Sequence, residues 1–394
     1  MSFIISRLHP SLLVGFREKE ELGVELCSFK EFDLPICNST IACPQMDDIA
    51  DILFTTGTTG EPKGVPLTYR NLSAAARQIN TFIKNSSDDV ELLALPISHS
   101  FGLGRLRCVL SLGATICLLG SFVNVKKLFR TMEEERITGF TMVPASWRYL
   151  KKYTGNKLGE FADQLKYIEM GSAYFSATEK KELADLMPKT RICMHYGLTE
   201  ASRSAFLEFH CANRDGHLDS VGRPSPSTEI AIFNEQGKRI GSNQEGEICV
   251  KGEHVTKGYL QIPREKTFFE EDFFRTGDWG YLTKDGYLYL VGRKKELINV
   301  GGKKVSPLEV EAEIDKFPGI IDCACVAEPD PQGILGEVVK AYLVKDSDYG
   351  KVDFADIQNF LFDKLEGYKI PVLWDWIDEI PKTHNGKVQR LLLK

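Results

Sequence analysis

The sequence predicts an α/β protein with a large N-terminal domain, in which mostly parallel sheets are covered by helices, and a small α+β domain at the C-terminus. Strand-like and helix-like segments alternate between residues 51 and 143, the pattern of a parallel sheet with crossover helices. From Gly246 onward short strands and turns predict a small β-rich subdomain of the large domain. The charge composition changes near residue 295, which we take as the domain boundary.

The elements follow from local patterns along the chain. Asn71 is the predicted N-terminal cap of the first helix in the alternating region. The predicted strands are 51–54, 90–95, 115–119 and 139–143, and the predicted helices are 71–84, 105–112 and 125–135. After Ser306 we expect a helix, a cysteine-rich strand, a second helix over 354–365 and a closing strand. These last elements form the small α+β unit.

Composition excludes several classes of function. The 394 residues suggest two to three domains, and the net charge of −6 leaves no basic field to hold nucleic acid. Residues 296–394 carry 12 Lys/Arg against 18 Asp/Glu, so this part accounts for the whole excess. The longest apolar stretch, within 107–126, is interrupted by Ser and Gly residues and predicts no membrane span. Ten cysteines without a C-x-x-C pair, and no evident signal peptide, favour reduced thiols in a cytoplasmic protein.

A loop rich in threonine and glycine follows the first predicted strand of this region. Residues 54–64 contain four Thr, three Gly and a single Lys. Backbone N–H groups freed by glycine, hydroxyl donors and one ammonium group favour a phosphate cradle over an ordinary exposed turn. The loop is not a Walker A motif, because Gly64 and not Ser or Thr follows the lysine. The predicted phosphate-binding residues are Thr55, Thr56, Gly57, Thr58, Thr59, Gly60 and Lys63.

The segment "TTGTTGEPKGV" resembles the signature loop of the acyl-adenylate-forming superfamily, which contains acyl- and aryl-CoA ligases, peptide-synthetase adenylation domains and firefly luciferase. The similarity runs from about residue 50 to the C-terminus, with further motifs in family order. They are "ALPISHSFGLG" (94–104), "YGLTE" (196–200), "GEICVKG" (246–252), "RTGDWGYLTKDGYLYLVGRKKELINVGGKKVSPLEVE" (275–311) and "PKTHNGKVQR" (381–390).

The resemblance implies activation of a carboxylic acid by ATP with Mg²⁺, followed by transfer to the thiol of CoA or of a carrier protein's phosphopantetheine. Two anions must meet in such a site, so cations and hydrogen-bond donors are needed more than a strong nucleophile. The implied catalytic residues are Lys387, Thr199, Glu200 and His99, with Glu200 as the metal ligand. A carboxylate that only stabilises a helix N-terminus is the alternative for Glu200. The implied nucleotide-binding residues include Tyr196, Gly197, Asp278 and Arg293.

The resemblance also implies that the C-terminal domain moves. Lys295 matches the hinge position, which divides the chain into a large domain, 1–294, and a small mobile domain, 295–394. One pose would bring Lys387 to the site for adenylation. The other would bring Gly301 and Gly302 to a tunnel for the thiol, where a pantetheine arm passes close to the backbone.

The sequence leaves the substrate and the acceptor open. The implied acyl pocket is lined by the residues after His99 and by 143–149, 170–173 and 195–198; Gly171, Ser172 and Ala173 also serve the nucleotide. The segment "PISHSFG" has no Asp to hold an amino group, which disfavours amino acids. Arg105 and Arg107 either face the pocket and pair with a second carboxylate or, as is more common, lie on the outer face of a helix.

The motifs allow two acceptors and three classes of protein. Lys303 and Lys304 would suit the 3′-phosphate of CoA, and the acidic C-terminal part suits an acidic carrier protein less well. A carrier-loading enzyme for an amino or aryl acid is the alternative ligase. A non-catalytic binding relative would be expected to lose Lys387 or Glu200, and both are present. A luciferase-like oxygenase would share every motif.

The region before the phosphate loop, about fifty residues, is shorter than the family pattern. We expect that most of the N-terminal subdomain is absent, with strands from "GVELCSFKEFDLPI" remaining, and that a homodimer covers the surface left open. Such an interface should bury on the order of 2,000 Å². The predicted contact residues are Phe3, Ile4, Ile5, Leu12, Leu13 and Phe16.

Overall fold

The computed structural model describes residues 7–8, 12–15, 25–28, 43–56, 62–382 and 388–393; for 12–15, 25–28 and residue 56 it describes the backbone alone. The chain divides into two compact units, residues 1–45 and 46–394. Described by itself, the first unit contains the parallel pair β1 (Leu12–Gly15) and β2 (Glu25–Ser28). The homodimer stays a prediction, because its contact residues lie outside the side chains that the structure describes.

The second unit begins with an antiparallel hairpin that carries the threonine- and glycine-rich loop. Its strands are β3 (Ile49–Thr56) and β4 (Pro62–Thr68), and Thr55 lies opposite Lys63. The predicted strand at 51–54 is therefore confirmed and extends to both sides. The tip of the loop, 57–61, lies outside the described residues.

A mostly parallel sheet forms the centre of the second unit. Among the described residues it has seven strands, in the order β11-β10-β9-β8-β7-β5-β6. Strands β5 to β9 are parallel, and β10 and β11 are antiparallel to their neighbours. The bounds are β5 (Val90–Leu93), β6 (Thr115–Leu118), β7 (Gly139–Met142), β8 (Tyr167–Met170), β9 (Arg191–Tyr196), β10 (Ala205–Glu208) and β11 (Arg223–Pro224).

Helices connect these strands. The bounds are α1 (Tyr69–Ile83), α2 (Ser100–Ser111), α3 (Val125–Glu134), α4 (Pro144–Thr154), α5 (Ala177–Leu186) and α6 (Phe209–Asp215). The largest core cluster includes Phe140 and Ile168 of the sheet, Leu128 of α3 and Trp147 of α4, all buried. Burial of these apolar side chains is the main term that holds helices onto the sheet.

Two helix starts differ from the prediction. The cap of α1 is Thr68, whose hydroxyl accepts the Asn71 N–H at 3.2 Å, while Asn71 Oδ1 accepts the Thr68 N–H at 2.9 Å. Asn71 is thus the third residue of a reciprocal capping box and not the cap itself. Helix α2 begins at Ser100, five residues before the predicted start, directly after His99.

An antiparallel sheet forms the predicted β-rich subdomain. Within the described chain it has five strands in the order β13-β12-β14-β15-β16. The bounds are β12 (Thr228–Phe233), β13 (Arg239–Ile240), β14 (Gly246–Gly252), β15 (Phe274–Leu282) and β16 (Leu288–Arg293). This element places Asp278 and Arg293 opposite each other on β15 and β16.

The C-terminal part is an α+β arrangement with a core of its own. It contains β17 (Ile298–Val300), β18 (Lys303–Val305), α7 (Pro307–Ile314), β19 (Ile320–Pro329), β20 (Glu337–Lys345), α8 (Phe354–Phe362) and β21 (Leu373–Trp376). Its core cluster includes Val310, Cys325, Leu343 and Ile357. The predicted fold class is confirmed. The division at Lys295 stays a prediction.

Two further findings concern the whole described chain. None of the described helices has the length and apolarity that crossing a membrane requires. Every cysteine whose side chain is described is a free thiol.

Candidate active site

The phosphate hairpin meets a second segment beside Lys63. The Lys63 ammonium lies 5.1 Å from the centre of the Tyr259 ring, within the range of a cation–π contact. The Leu260 N–H donates to the Gly64 carbonyl at 2.9 Å. A Cβ at Gly64 would lie 2.9 Å from Leu260 Cδ1, so glycine allows this close approach. Of the predicted cradle, the structure describes Thr55 and Lys63 with their side chains and Thr56 by its backbone; Gly57, Thr58, Thr59 and Gly60 lie outside the description.

A tight turn follows strand β9 and carries the "YGLTE" motif. The Leu198 N–H donates to the Ala201 carbonyl at 3.1 Å, and the Ala201 N–H donates back at 3.2 Å. A Cβ at Gly197 would lie 2.4 Å from the Arg203 backbone nitrogen, which explains glycine at this position. The turn therefore projects Thr199 and Glu200 from the carboxyl edge of the parallel sheet, where ligands bind in open α/β folds.

Thr199 and Glu200 lie between helix α2 and the segment around Tyr259. Thr199 Oγ1 is 3.4 Å from Ser100 Oγ, and His99 precedes this serine at the start of α2. The Tyr259 hydroxyl donates to Glu200 Oε1 at 2.7 Å. Burial and the nearby Glu200 carboxylate raise the pKa of Tyr259, so the phenol stays protonated. Glu200 lies outside any described helix, so its interpretation as a helix-terminal carboxylate is wrong.

Tyr196, Asp278 and Arg293 form a group on the other side of this turn. The Tyr196 hydroxyl donates to Asp278 Oδ2 at 2.7 Å, and Arg293 Nε lies 3.0 Å from Asp278 Oδ1. Burial and the Asp278 carboxylate raise the pKa of Tyr196 well above its usual value. Asp278 also raises the pKa of Arg293, which burial opposes. The structure thus brings Tyr196 to Asp278, 82 residues further along the chain, and Asp278 to Arg293, a further 15 residues along.

The predicted segment Gly171, Ser172 and Ala173 follows strand β8 beside the "YGLTE" turn. A Cβ at Gly171 would lie 2.2 Å from the His195 ring, so glycine allows the strand end to lie against this imidazole. Ser172 has a φ of +74°, a left-handed conformation that costs energy in a residue other than glycine. His195 Nδ1 is 2.8 Å from Glu169 Oε1. Burial and the neighbouring Arg203 lower the pKa of His195, which favours a neutral ring.

Arg105 belongs to a buried charge network and faces neither the pocket nor the outer surface, so both predicted placements are wrong. Its Nε lies 2.9 Å from Glu91 Oε1 and 3.3 Å from Glu169 Oε2. Arg203 Nε lies 3.1 Å from Glu169 Oε1, and all four side chains are buried. Glu91 on β5 and Glu169 on β8 require cations of this kind, since unpaired buried carboxylates are costly. Arg107 instead pairs with Asp51 of the phosphate hairpin at 2.5 Å.

The hinge region and the C-terminal part contact the β-rich subdomain. The Lys294 ammonium lies 2.8 Å from Glu247, one residue before Lys295. Lys304, predicted to suit the phosphate of CoA, pairs with Glu235 at 2.5 Å and lies over the Trp279 ring. Lys303 lies over the Tyr368 ring. Gly301 and Gly302 have φ angles of +57° and +85° and are exposed at the turn between β17 and β18.

Lys387 lies outside the described residues, but the chain that follows it is firmly anchored. Arg390 Nε lies 3.0 Å from Glu296 Oε2, and its guanidinium also donates to Glu311 Oε2 at 3.0 Å. The same guanidinium donates to the Cys325 carbonyl at 3.0 Å. Glu296 is adjacent to the predicted hinge residue. Arg390 thus ties the described residues after Lys387 to the chain that leaves the hinge.

The oxygen groups around Glu200 fit a hard cation such as Mg²⁺. Glu200 supplies a carboxylate, and its chain neighbour Thr199 has a hydroxyl that lies 3.4 Å from the hydroxyl of Ser100. Among the described residues, no cluster of three or more His, Cys, Asp or Glu could hold a metal ion. The Glu200 carboxylate suits Mg²⁺, which is bound by one or two carboxylates together with water and substrate phosphates.

Sequence reasoning missed Tyr259 and the buried network of Glu91, Glu169 and Arg203. The "KGYL" segment that contains Tyr259 follows the "GEICVKG" motif closely, and this was the available signal. Nothing in the spacing of these residues indicates which side chains each of them meets. The contact of Tyr259 with Glu200 depends on the packing of the segment after β14 against the turn after β9, whereas the network depends on the packing of α2 against β5 and β8.

Comparisons with known proteins show the family of the chain. The family model described as AMP-binding enzyme matches residues 13–260, and the model for the AMP-binding enzyme C-terminal domain matches residues 309–387.

Two curated relatives and one solved structure illustrate the similarity. The 2-succinylbenzoate–CoA ligase of Staphylococcus aureus is 34% identical over 345 residues, which are 88% of this chain and 66% of that protein. The chain thus spans about two thirds of that relative's length. The oxalate–CoA ligase of Arabidopsis thaliana is 33% identical over 374 residues, 93% of this chain and 71% of that protein.

The solved structure is that of O-succinylbenzoate coenzyme A synthetase (MenE) from Bacillus subtilis with ATP and magnesium ion. It has a TM-score of 0.88 and 26% identity, and the match covers 100% of this chain and 81% of that one. From the matching family models, the shared motifs and the convergent site residues, we conclude that this chain belongs to the family of AMP-binding enzymes.

Proposed function

We propose that the chain activates a carboxylic acid with ATP and transfers the acyl group to a thiol. In the first step a carboxylate oxygen bonds to the α-phosphorus and pyrophosphate leaves with the electrons of the broken P–O bond. In the second step the thiolate sulfur bonds to the acyl carbon and AMP leaves. The observation that carries this proposal is the convergence of two groups on one turn, Tyr196 with Asp278 and Arg293 on one side, and Glu200 with Tyr259 and Lys63 on the other.

The nucleotide would bind across this turn. Lys63 and the threonines of the hairpin supply a cation and donors for the phosphates. Tyr196 and Gly197, with Gly171 to Ala173, form the surroundings of the base. Asp278 is a carboxylate acceptor for ribose hydroxyls, and Arg293 holds that carboxylate in place at 3.0 Å.

Glu200 and Thr199 would hold Mg²⁺ together with the phosphates of ATP. When bound, the ion neutralises charge on the phosphates as pyrophosphate leaves. The Tyr259 hydroxyl and the Thr256 N–H bind the side chain and the main chain of Glu200, so the carboxylate is held before any ligand arrives. His99, at the start of α2 beside Thr199, would lie where the nucleotide and the acid meet.

The C-terminal part would serve the two half-reactions in turn. We propose a large domain of residues 1–294 and a mobile domain of residues 295–394, with Lys295 as the hinge. Lys387 would contact the carboxylate and the α-phosphate in the first pose. Gly301 and Gly302 would border the thiol tunnel in the second. The ion pairs of Arg390, three residues after Lys387, with Glu296 and Glu311 support a connection between this end of the chain and the hinge side of the domain.

The proposed acid has a second carboxyl group, and the proposed acceptor is CoA. Both 2-succinylbenzoate and oxalate, named in the relatives, carry two carboxyl groups, and both relatives are named CoA ligases. Arg105 does not serve the second carboxylate, since it is buried between Glu91 and Glu169. A carrier protein is the second candidate for the acceptor, because carrier proteins are acidic as a rule and the C-terminal part is acidic too. ATP, CoA and free thiols are compatible with the cytoplasm.

Exchange of labelled pyrophosphate into ATP tests this function directly. The panel contains oxalate, 2-succinylbenzoate and other dicarboxylic acids, each paired with a monocarboxylic acid of similar size. We expect exchange with a dicarboxylic acid and thioester formation when CoA is added. Exchange with monocarboxylic acids alone would contradict the substrate class. Thioester formation on a phosphopantetheinylated carrier but not on CoA would replace the acceptor, and no exchange with any acid would contradict the function.

A further inference from the structure

We propose that Tyr259 is a positioning residue that couples the phosphate-binding hairpin to the Glu200 carboxylate. Its hydroxyl binds the carboxylate and its ring supports the Lys63 ammonium, so one side chain sets the distance between the two charged groups that would meet MgATP. This inference rests on the proposed function, and it adds a residue that the motifs did not indicate.

The main chain around Tyr259 shows the same double attachment. We call residues 256–260 the bridging segment. The Thr256 N–H donates to the Glu200 carbonyl at 2.8 Å, and Thr256 Oγ1 donates to the Pro66 carbonyl of β4 at 2.6 Å. The Leu260 N–H donates to the Gly64 carbonyl, also in β4, at 2.9 Å. Five consecutive residues thus hold both the strand that carries Lys63 and the residue that would bind the cation.

The hydroxyl of Tyr259 has a defined direction of donation. It donates to the Glu200 carboxylate at 2.7 Å, and hydrogen bonds to charged acceptors are the stronger kind. The bond engages Oε1 and leaves Oε2 as the oxygen that a cation would meet. Without it, the carboxylate would rotate among its rotamers and lose entropy when it binds the metal.

The ring of Tyr259 has a separate task. It lies 5.1 Å below the Lys63 ammonium and packs against Phe274, whose ring centre is 6.0 Å away. A phenylalanine at position 259 would keep this packing and the cation–π contact, whereas a leucine would lose both. The two substitutions therefore separate the contribution of the hydroxyl from the contribution of the ring.

Equilibrium binding of ATP to the whole chain, without any acid, tests the proposal. Isothermal titration at a series of Mg²⁺ concentrations and in EDTA gives the Mg²⁺ concentration for half-maximal enhancement of ATP binding. Tyr259→Phe should raise this concentration roughly ten-fold, since a hydrogen bond to a charged group is lost, and should leave binding in EDTA unchanged. Tyr259→Leu should in addition weaken binding in EDTA several-fold.

Tyr287→Phe is the matched control. The Tyr287 hydroxyl also donates to a carboxylate, Asp215 Oδ2 at 2.8 Å, which lies outside the proposed site. The Mg²⁺ response of Tyr287→Phe should equal that of the wild type.

Pyrophosphate exchange at saturating Mg²⁺ should recover to near the wild-type rate in Tyr259→Phe, because the ring and Lys63 are still in place.

The outcomes are distinct. A Tyr259→Phe variant that is folded by thermal unfolding and has the wild-type Mg²⁺ response would overturn the proposal. So would a loss of exchange that does not change with Mg²⁺, because this indicates a general structural role. If the wild type itself binds no MgATP, the proposed function fails instead, and the Tyr259 variants are not needed to show it.

Discussion

At the scale of single residues, Glu200 decides whether the turn after β9 binds a metal ion or has only a structural role. It is 7% exposed, lies outside any described helix and accepts the Tyr259 hydroxyl. Glu200→Gln keeps the size but removes the charge. We expect the Mg²⁺ requirement of pyrophosphate exchange to rise and turnover to fall by roughly a hundredfold or more. The matched control is Glu253→Gln, which changes an exposed carboxylate that pairs with Arg77. A Glu200→Gln enzyme with the wild-type response to Mg²⁺ would remove Glu200 from the metal site.

His254 makes the stability of the fold depend on pH. It is buried, its Nε2 lies 3.0 Å from Ser204 Oγ, and burial lowers its pKa to about 4. In the unfolded chain His254 binds a proton near pH 6.5, whereas burial keeps it neutral in the folded chain. The contribution of neutral His254 to the free energy of unfolding is therefore fully present above about pH 6.5. It is lost as the pH falls toward 4, by up to about 3 kcal/mol.

Urea unfolding between pH 7.5 and 4.5 checks this prediction. The His254→Gln variant keeps a polar side chain but cannot titrate, so its stability should fall less steeply with decreasing pH than that of the wild type. His210→Gln serves as the control, since this histidine on α6 is only half-buried. Parallel curves for wild type and His254→Gln would contradict the assignment.

At the scale of elements, the end of strand β8 is tightly packed against strand β9. A methyl group at Gly171 would lie 2.2 Å from the His195 ring, which is also held at 2.8 Å from Glu169. Gly171→Ala should therefore cost about 1–3 kcal/mol, lower the melting temperature by a few degrees and raise the KM for the acid. Gly241→Ala is the control, because nothing lies within 4 Å of the added carbon. Equal melting temperatures of the two variants would show that the end of β8 shifts to make room for the methyl group without loss of stability.

The elements also show where local patterns suffice. Hydrophobic periodicity predicted the strands β5 to β7 and the helix between β6 and β7 to within two residues, because each of these segments buries one regular face. It misplaced the starts of α1 and α2. The α1 cap depends on which of two polar residues adopts the extended conformation, and α2 begins with small and aromatic residues that show no clear period.

At the scale of the whole molecule, the proposed alternation of domains has a direct test. Lys387→Ala should abolish formation of the acyl-adenylate but leave thioester formation from a supplied acyl-adenylate largely intact, since the lysine would leave the site before the second step. The measurement is pyrophosphate exchange for the first half-reaction and thioester yield for the second. Lys382→Ala, which removes an exposed lysine paired with Asp322, is the control. Equal loss of both half-reactions would contradict a model with two poses.

The sequence by itself determined the family, the fold class and the residue types of the site, because the motifs are contiguous and each carries its own local chemistry. Only the tertiary structure decided which groups meet. Arg105 looked like a pocket or surface residue, but Glu91 and Glu169 come from strands that are 78 residues apart in sequence and enclose it in the core. Tyr259 lies outside the motifs, yet its hydroxyl donates to Glu200. The physical reason is that ion pairs and hydrogen bonds act over a few ångströms in space, and the packing of separate elements sets those distances.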